Sequence, residues 1–380
     1  MRNFDHYNPT RILFGAGQIA SLAQLIPGDS RVLITHGGAS ILQNGVWQEI
    51  EQALSGHALS RFAGIEASPQ YDTLLRAVDQ ARQQHCDFIL AVGGGAVIDA
   101  SKFIAAALAY PGDPFDLLSG TPIRRALPLG SVPMPDTTGS DSNCRGVVYH
   151  AGLQAGLSFS APCLFPRFAI LDPRTTFSLS PRQIGGGVIA TFAHGLLQYL
   201  TTPADNPLRD RQLEGLLLTL LELGPQALLQ PQNYSIRAGL MCCASQALSG
   251  VQSHTEALDY EVRALGHELS RLYHVDHAQS LAVLLPAWLG AADGYSQDKL
   301  LQYAERVWNL RRGARQQRLE AAITATDVFF RRMGLGTRLS ILGLDAEAIP
   351  QLLAQVQRPV AGRRAGLDLE ACERLLLRAL

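Results

Sequence analysis

Apolar runs that end in glycine and lead directly into a helical pattern dominate the first half of the chain. The run DFILAVGGG at 87–95 is apolar at successive positions, and AVIDASKFIAAALAY at 96–110 follows it with helical spacing. RVLITHGG at 31–38, followed by the helical segment 40–54, has the same form. A strand without polar alternation is buried on both faces, as in a parallel sheet with helices on either side. This half therefore predicts an α/β fold.

The character of the sequence changes near residue 173. RFAILDP at 167–173 is the last run with a clear strand pattern, and from Ser180 onward almost every segment has helical periodicity. A chain of 380 residues is long enough for two domains. We therefore predict an α/β domain at 1–176 and an all-α domain at 177–380.

Charge and hydropathy exclude several classes of partner. The formal net charge is −1 with interspersed signs, which gives no footprint for nucleic acid or an anionic membrane. No stretch reaches the roughly 18 apolar residues that a membrane-spanning helix needs, and the N-terminus lacks the apolar segment of a signal peptide. The expected partner is a small-molecule substrate.

The cysteines bear on the cellular compartment. The chain has 6 cysteines, which are scattered and form no C-x-x-C pair. A chain of this length does not depend on disulfides for stability. We expect reduced thiols and a cytoplasmic protein.

Glycine clusters between predicted strands and helices suggest where a ligand binds. ITHGGAS at 34–40 and AVGGGAVIDASK at 91–102 both allow backbone N–H groups to approach a phosphate near a helix N-terminus. A third segment, PMPDTTGSDSN at 133–143, is rich in hydroxyls and glycine. Each could also be a tight turn or simple loop. Because carboxyl ends of parallel strands share one edge, together they predict a nucleotide crevice.

These elements together resemble the iron-containing alcohol dehydrogenases over nearly the whole chain. The motifs that carry the resemblance are PTRILFGAG at 9–17, GGGAVIDASKFIA at 93–105, TTGSDSN at 137–143, FAILDP at 168–173 and LGHELSRLYHVDHAQSLAVLLPAW at 265–288. The sequence is most similar to the branch of NADPH-dependent aldehyde reductases, also called butanol dehydrogenases. The resemblance implies the dehydroquinate synthase-like fold of that family: a nucleotide-binding α/β domain, an all-α C-terminal domain, and an active site between them.

The resemblance also implies a set of cofactor-binding positions. A small, neutral pair at the adenosine ribose, Gly38 and Ser40, leaves room for a 2′-phosphate and favours NADP(H) over NAD(H). Ala96 stands where the family usually has a serine. The implied cofactor-binding residues are Gly37, Gly38, Ser40, Gly93, Gly94, Gly95, Asp99 and Thr138.

The metal-binding pattern of the family is incomplete in this chain. The family holds its metal with an aspartate and three histidines, and the matching positions here are Ala190, His194, Arg263 and His277. The remnant pair, His194 and His277, falls short of the three protein ligands of a catalytic metal site. We therefore expect binding of iron or zinc to be weak or lost. A family lysine near the nicotinamide is also replaced, at about Gly156.

Arg263 offers one explanation for the missing ligands. An arginine without metal carries the same +1 charge as a divalent cation with one aspartate, and Arg263 shares a helix face with His267. One hypothesis is that its guanidinium occupies the metal position and polarises a carbonyl. The other is that Arg263 pairs with Asp259 or Asp141 and the pocket is inactive.

Three functions remain open at this point. The first is an NADPH-dependent oxidoreductase that reduces a small aldehyde, or oxidises the alcohol, with Arg263 and His267 as catalytic residues and His267 relaying the proton. The second is an inactive nucleotide-binding protein. The third is a metal-independent chemistry on the same fold. The family resemblance also implies a homodimer.

Overall fold

The computed structural model of the chain describes residues 5–38, 40–134, 139–201, 206–247, 260–291, 295–357 and 367–380. The strands are β1 Arg11–Phe14, β2 Arg31–His36, β3 Ala58–Phe62, β4 Phe88–Gly93, β5 Leu129–Pro133, β6 Arg145–His150, β7 Ala155–Ser160 and β8 Phe168–Leu171.

Helices surround the sheet and make up the second half of the chain. The helices are α1 Leu22–Leu25, α2 Ser40–Gln43, α3 Val46–Ala53, α4 Tyr71–Gln83, α5 Gly95–Ala109, α6 Pro181–Thr201, α7 Pro207–Leu229, α8 Tyr234–Ala247, α9 Tyr260–Tyr273, α10 His277–Ala291, α11 Gln297–Arg306, α12 Arg315–Arg332, α13 Ala348–Val356 and α14 Leu369–Ala379. Among the described residues, no helix is both long enough and apolar enough to cross a bilayer.

The main sheet is parallel and reverses its winding direction next to β2. Its strand order is β1-β8-β5-β4-β2-β3, and each neighbouring pair runs parallel. The chain places β3 on one side of β2 and then β4 and β5 on the other. Since His36 lies opposite Val92, the loops that follow β2 and β4 leave the sheet side by side. Such a switch point is where open α/β sheets bind ligands.

The inner strands β2, β4, β5 and β8 are buried on both faces, as the sequence predicts. On one face Leu33 and Ile89 pack against α4 and α5. On the other face Ile34 and Leu90 pack against α1 and α3. The apolar runs lack alternation because helices cover both sides of the sheet.

An antiparallel hairpin stands apart from the main sheet. Strands β6 and β7 pair with each other, with Val148 opposite Leu157, and β6 packs on α5. The sequence analysis did not predict this hairpin. One other segment also differs: the helix predicted at 40–54 is divided at Gly45, where φ is 83°.

All regular elements described after β8, apart from short 3-10 turns, are α-helices, as predicted. Their core includes Phe192 of α6, Leu284 of α10 and Phe330 of α12. The predicted domain boundary at 176/177 falls in the connection between Leu171 and Pro181. The guanidinium of Arg237, on α8, donates to the hydroxyl and the carbonyl oxygen of Thr176. The boundary itself stays a prediction.

Candidate active site

The loop after β2 lies against the loop after β3. The Gly64 N–H donates to the carbonyl oxygen of Gly37 at 2.9 Å. A Cβ atom at Gly37 would lie 3.1 Å from the carbonyl oxygen of Ile65, closer than side chains normally approach. Gly38 is exposed, and the side chain of Ser40 lies outside the described residues. The lack of a side chain at Gly37 allows this close contact, and the backbone at Gly38 leaves space beside the end of β2.

The turn between β4 and α5 is also too tight for a side chain. A Cβ atom at Gly93 would lie 2.7 Å from Cγ2 of Val97. Gly94 is the N-cap of α5 and accepts a hydrogen bond from the Ile98 N–H at 3.2 Å. The N-terminus of this 15-residue helix supplies unpaired N–H groups and partial positive charge at the switch point. Those properties suit a pyrophosphate.

Asp99 belongs to a buried charged cluster on α5. Its Oδ2 accepts from the Val147 N–H at 3.3 Å, and Lys102 Nζ lies 3.8 Å from its Oδ1. Lys102 is fully buried and donates to Asn143 Oδ1 and to the Arg145 carbonyl oxygen. Burial raises the pKa of Asp99 and lowers that of Lys102, and their mutual attraction opposes both shifts. The cluster anchors the hairpin against α5.

The loop after β5 contacts the helical half of the chain. Thr138 lies outside the described residues. Asp141, three residues further on, is completely buried, and its Oδ2 accepts a hydrogen bond from the hydroxyl of Ser245, on α8, at 2.9 Å. Burial raises the pKa of Asp141. A buried hydrogen bond thus joins the loop after β5 to helix α8.

A cavity of about 360 Å³ opens at the same edge of the sheet. It lies between α3 and the segment that follows β8. The side-chain amide nitrogen of Asn44, which lines it, is buried and has no partner among the described residues. Arg174, on the opposite wall, pairs with Asp172 and Glu49. The cavity combines the unpaired amide nitrogen of Asn44 with apolar walls formed by Ile19, Val46 and Phe177.

Three side chains surround the end of β2. His36 is 3% exposed, and its Nδ1 lies 3.2 Å from the Gly38 carbonyl oxygen. Its ring lies beside Trp47, and the guanidinium of Arg61 stacks 5.5 Å from the centre of the Trp47 ring. Burial is the main cause of the lowered pKa of His36, and the Arg61 charge adds to it. A cation is therefore held beside Trp47, where its charge acts on His36.

The imidazoles of His194 and His277 face each other. His194 lies within α6, His277 begins α10, and their Nε2 atoms are 3.4 Å apart. The His194 side chain is half-buried and the His277 side chain is exposed, and the packing of α10 against α6 and α9 removes part of the water around the two rings. This loss of water is the main cause that lowers the pKa of His194 to about 3 and of His277 to about 4, and the Arg263 charge adds to both shifts. Both rings are neutral near pH 7.

The residues around these imidazoles do not fit a divalent cation. Ala190, one turn before His194, offers a methyl group. Arg263 offers a guanidinium, which has no lone pair for a metal. Within the described ranges, no group of three or more His, Cys, Asp or Glu side chains is placed to hold a metal ion. Two imidazoles beside a positive charge fall short of a catalytic metal site.

Arg263 and His267 lie one turn apart on α9, and both side chains are exposed. The sequence analysis gave Asp141 and Asp259 as possible ion-pair partners of Arg263. Asp141 accepts a hydrogen bond from Ser245. Asp259 lies outside the described residues. The assignments of Arg263 and His267 as catalytic residues stay predictions.

Several site residues were missed by sequence reasoning. Lys102 and Asp99 are the charged side chains of the mostly apolar α5, and such a lysine is a detectable signal of a buried ion pair. Arg61, Asn44 and Ser245 carry no such signal, because their importance comes from neighbours distant in sequence.

Comparisons with known proteins cover both halves of the chain. Residues 9–173 match the profile of the family described as "Iron-containing alcohol dehydrogenase". Residues 185–362 match the profile described as "Fe-containing alcohol dehydrogenase family, C-terminal".

Individual relatives align along most of their length. The NADPH-dependent aldehyde reductase YqhD of Escherichia coli is 46% identical over 361 residues, covering 94% of this chain and 93% of that protein. NADH-dependent butanol dehydrogenase B of Clostridium acetobutylicum is 32% identical, covering 92% and 91%. The substrate- and cofactor-free structure of YqhD superposes with a TM-score of 0.91 at 42% identity, covering all of both chains. The NADH-dependent butanol dehydrogenase A of Thermotoga maritima gives 0.92 at 26% identity, covering 100% and 99%.

Proposed function

The chain belongs to the iron-containing alcohol dehydrogenase family, and from this we propose that it reduces small aldehydes with NADPH. The observation that carries the proposal is the pair of glycine loops at the switch point, Gly37–Gly38 and Gly93–Gly95, beside the N-terminus of α5. The similarity to an NADPH-dependent aldehyde reductase and to butanol dehydrogenases supports the reaction type. The comparisons offer no support for an inactive nucleotide-binding protein.

NADPH would extend along the carboxyl edge of the sheet. Its pyrophosphate would lie at Gly94 and Gly95, where free N–H groups and the helix dipole stabilise negative charge. Its 2′-phosphate would lie beside Gly38, and the Arg61 guanidinium, stacked on Trp47, would supply an opposite charge. Some relatives are named for NADPH and others for NADH. The preference for NADPH rests on these side chains.

The aldehyde would lie beside α9, with its carbonyl carbon facing the nicotinamide. Hydride transfer leaves negative charge on the carbonyl oxygen, and His267 is suited to supply the proton that completes the alcohol. The positions that match the family's metal ligands supply too few ligands to hold a metal ion, as these residues are Ala190, His194, Arg263 and His277.

We also propose that the protein lies in the cytoplasm and forms a homodimer. All 6 cysteines are free, which agrees with a reducing cytoplasm. A homodimer follows from the family alone.

Steady-state turnover tests the proposed function. Purified protein is mixed with a straight-chain aldehyde such as butanal, and loss of reduced nicotinamide absorbance is followed with NADPH and with NADH. We expect oxidation that depends on aldehyde, with a higher kcat/KM for NADPH. Tight NADPH binding without oxidation across an aldehyde panel, with and without added Fe²⁺ or Zn²⁺, would contradict the proposal.

A further inference from the structure

Side chains from three helices meet beside the proposed substrate position. His194 of α6 and His277 of α10 bring their Nε2 atoms to 3.4 Å, and α10 packs against both α6 and α9. Arg263 of α9 lies close enough for its charge to act on both imidazoles. The charge of Arg263 therefore acts on the two imidazoles that stand at metal-binding positions of the family's pattern.

A divalent cation and the Arg263 guanidinium cannot both supply positive charge at this place. A divalent cation needs lone pairs, and Ala190 and Arg263 provide none. A divalent cation held by His194 and His277 would also be repelled by the guanidinium beside it. Conversely, the guanidinium offers several N–H donors to an oxygen atom, and it stays charged at any physiological pH.

We propose that the guanidinium of Arg263 takes the place of the metal ion, donating hydrogen bonds to the carbonyl oxygen of the aldehyde, so that this protein reduces aldehydes without a bound metal. This inference rests on the proposed function.

The step balances with NADPH, the aldehyde and one proton from water. The C4–H bond of the dihydronicotinamide breaks and its electron pair forms a C–H bond at the carbonyl carbon. The π pair of the carbonyl moves to oxygen, where the Arg263 guanidinium stabilises the alkoxide. His267 then transfers a proton to that oxygen and regains one from water. NADPH is oxidised to NADP⁺, and the aldehyde is reduced to the alcohol.

Removal of the guanidinium tests this role directly. In Arg263→Ala we expect kcat to fall by about 10²–10³-fold, the size of losing one oxyanion donor, while the Kd of NADPH stays unchanged. Guanidinium chloride at millimolar concentration should restore part of kcat in Arg263→Ala and none in wild type, which a merely structural role would not produce. Arg315→Gln, which removes an exposed arginine on α12, is the matched control and should leave kcat unchanged.

Metal content supplies a second measurement that needs no activity. We expect elemental analysis of protein purified without chelator to find far less than one iron or zinc per chain. The double variant Ala190→Asp with Arg263→His should bind close to one. Near-stoichiometric metal in wild type, or no added uptake in a folded double variant, would overturn the inference.

The outcomes separate the two proposals. Wild-type turnover that chelation abolishes and Fe²⁺ or Zn²⁺ restores would keep the proposed function and overturn the inference. Metal-free turnover that Arg263→Ala leaves unchanged would do the same. Failure to reduce any aldehyde, with or without metal, would overturn both.

Discussion

Arg61 is the residue from which the cofactor preference can be tested most simply. Its guanidinium stacks on Trp47, whose ring lies beside that of His36, and the 2′-phosphate of NADPH is proposed to bind at the end of the same strand. We expect Arg61→Gln to raise the Kd of NADPH about tenfold, or about 1.4 kcal/mol, because a charge-assisted contact is lost. The Kd of NADH should stay unchanged. Titration of nicotinamide fluorescence measures both constants.

A control separates this local effect from a general loss of charge. Arg11 begins β1, at the opposite edge of the sheet, so Arg11→Gln should leave both dissociation constants unchanged. If Arg61→Gln weakened the binding of NADPH and of NADH equally, the proposed contact between Arg61 and the 2′-phosphate would be wrong.

Asp141 predicts a pH-dependent stability. Burial raises its pKa above the ordinary 3.8, so the native state holds this proton more tightly than the unfolded chain. Its contribution to stability is therefore present at low pH and is lost as the pH rises through the raised value. Asn can still accept from Ser245 but needs no proton. Above the raised pKa we expect Asp141→Asn to raise the free energy of unfolding, because the wild-type carboxyl must either ionise in a buried place or take up a proton.

Urea unfolding of wild type and Asp141→Asn at several pH values measures this difference. The gain should shrink as the pH falls toward the ordinary carboxyl value. A difference that is constant with pH, or largest in acid, would show that the Asp141 carboxyl is not costly to ionise in the fold.

Residue identities at the site were predictable to different degrees. The glycines at 93–95 could be located because a buried strand ending in glycine needs a tight turn, and the structure places Gly93 against Val97. The contact between Asp141 and Ser245 could not be found, since 104 residues separate them. That His194 and His277 belong to one site could be predicted only from the family pattern, because a single histidine on an apolar helix has no distinguishing spacing.

Helix α6 lies very close to the C-terminal end of α12, where Gly185 faces the backbone of Met333. A Cβ atom at Gly185 would lie 1.9 Å from the carbonyl oxygen of Met333, and a backbone atom cannot rotate away. We expect Gly185→Ala to lower the free energy of unfolding by at least about 3 kcal/mol, as in severe overpacking. Gly215, exposed on α7, has nothing within 4 Å of its added Cβ. Gly215→Ala should instead stabilise by about 0.5–1 kcal/mol.

Urea denaturation of both variants checks this prediction, and circular dichroism shows whether each is folded. Equal stability of Gly185→Ala and wild type would mean that α6 and α12 are further apart than described.

Elements were predicted well where burial alone determines them. β2 and β4 are apolar because helices cover both their faces, and the pattern shows this directly. The hairpin β6–β7 escaped prediction, although β7 alternates between buried and exposed positions, because its short strands pair with each other and pack on α5. The division between α2 and α3 depends on the positive φ of Gly45, which hydrophobic spacing does not report.

At the scale of the whole molecule, α8 connects the two halves of the chain. Ser245 binds Asp141 in the loop after β5, and Arg237 binds Thr176 in the connection after β8. Both contacts are buried, so they hold the helices beside the carboxyl edge of the sheet. The proposed reaction needs this arrangement, because NADPH would bind on the sheet and the aldehyde beside α9.

Transfer of deuterium from NADPH to the product tests the central claim most directly. The protein is supplied with butanal and NADPH that carries deuterium at both C4 positions, and the product is analysed by mass spectrometry. We predict butanol with one deuterium on C1, because the hydride passes directly from the nicotinamide to the carbonyl carbon. Oxidation of NADPH without butanol, or butanol without deuterium, would contradict the account.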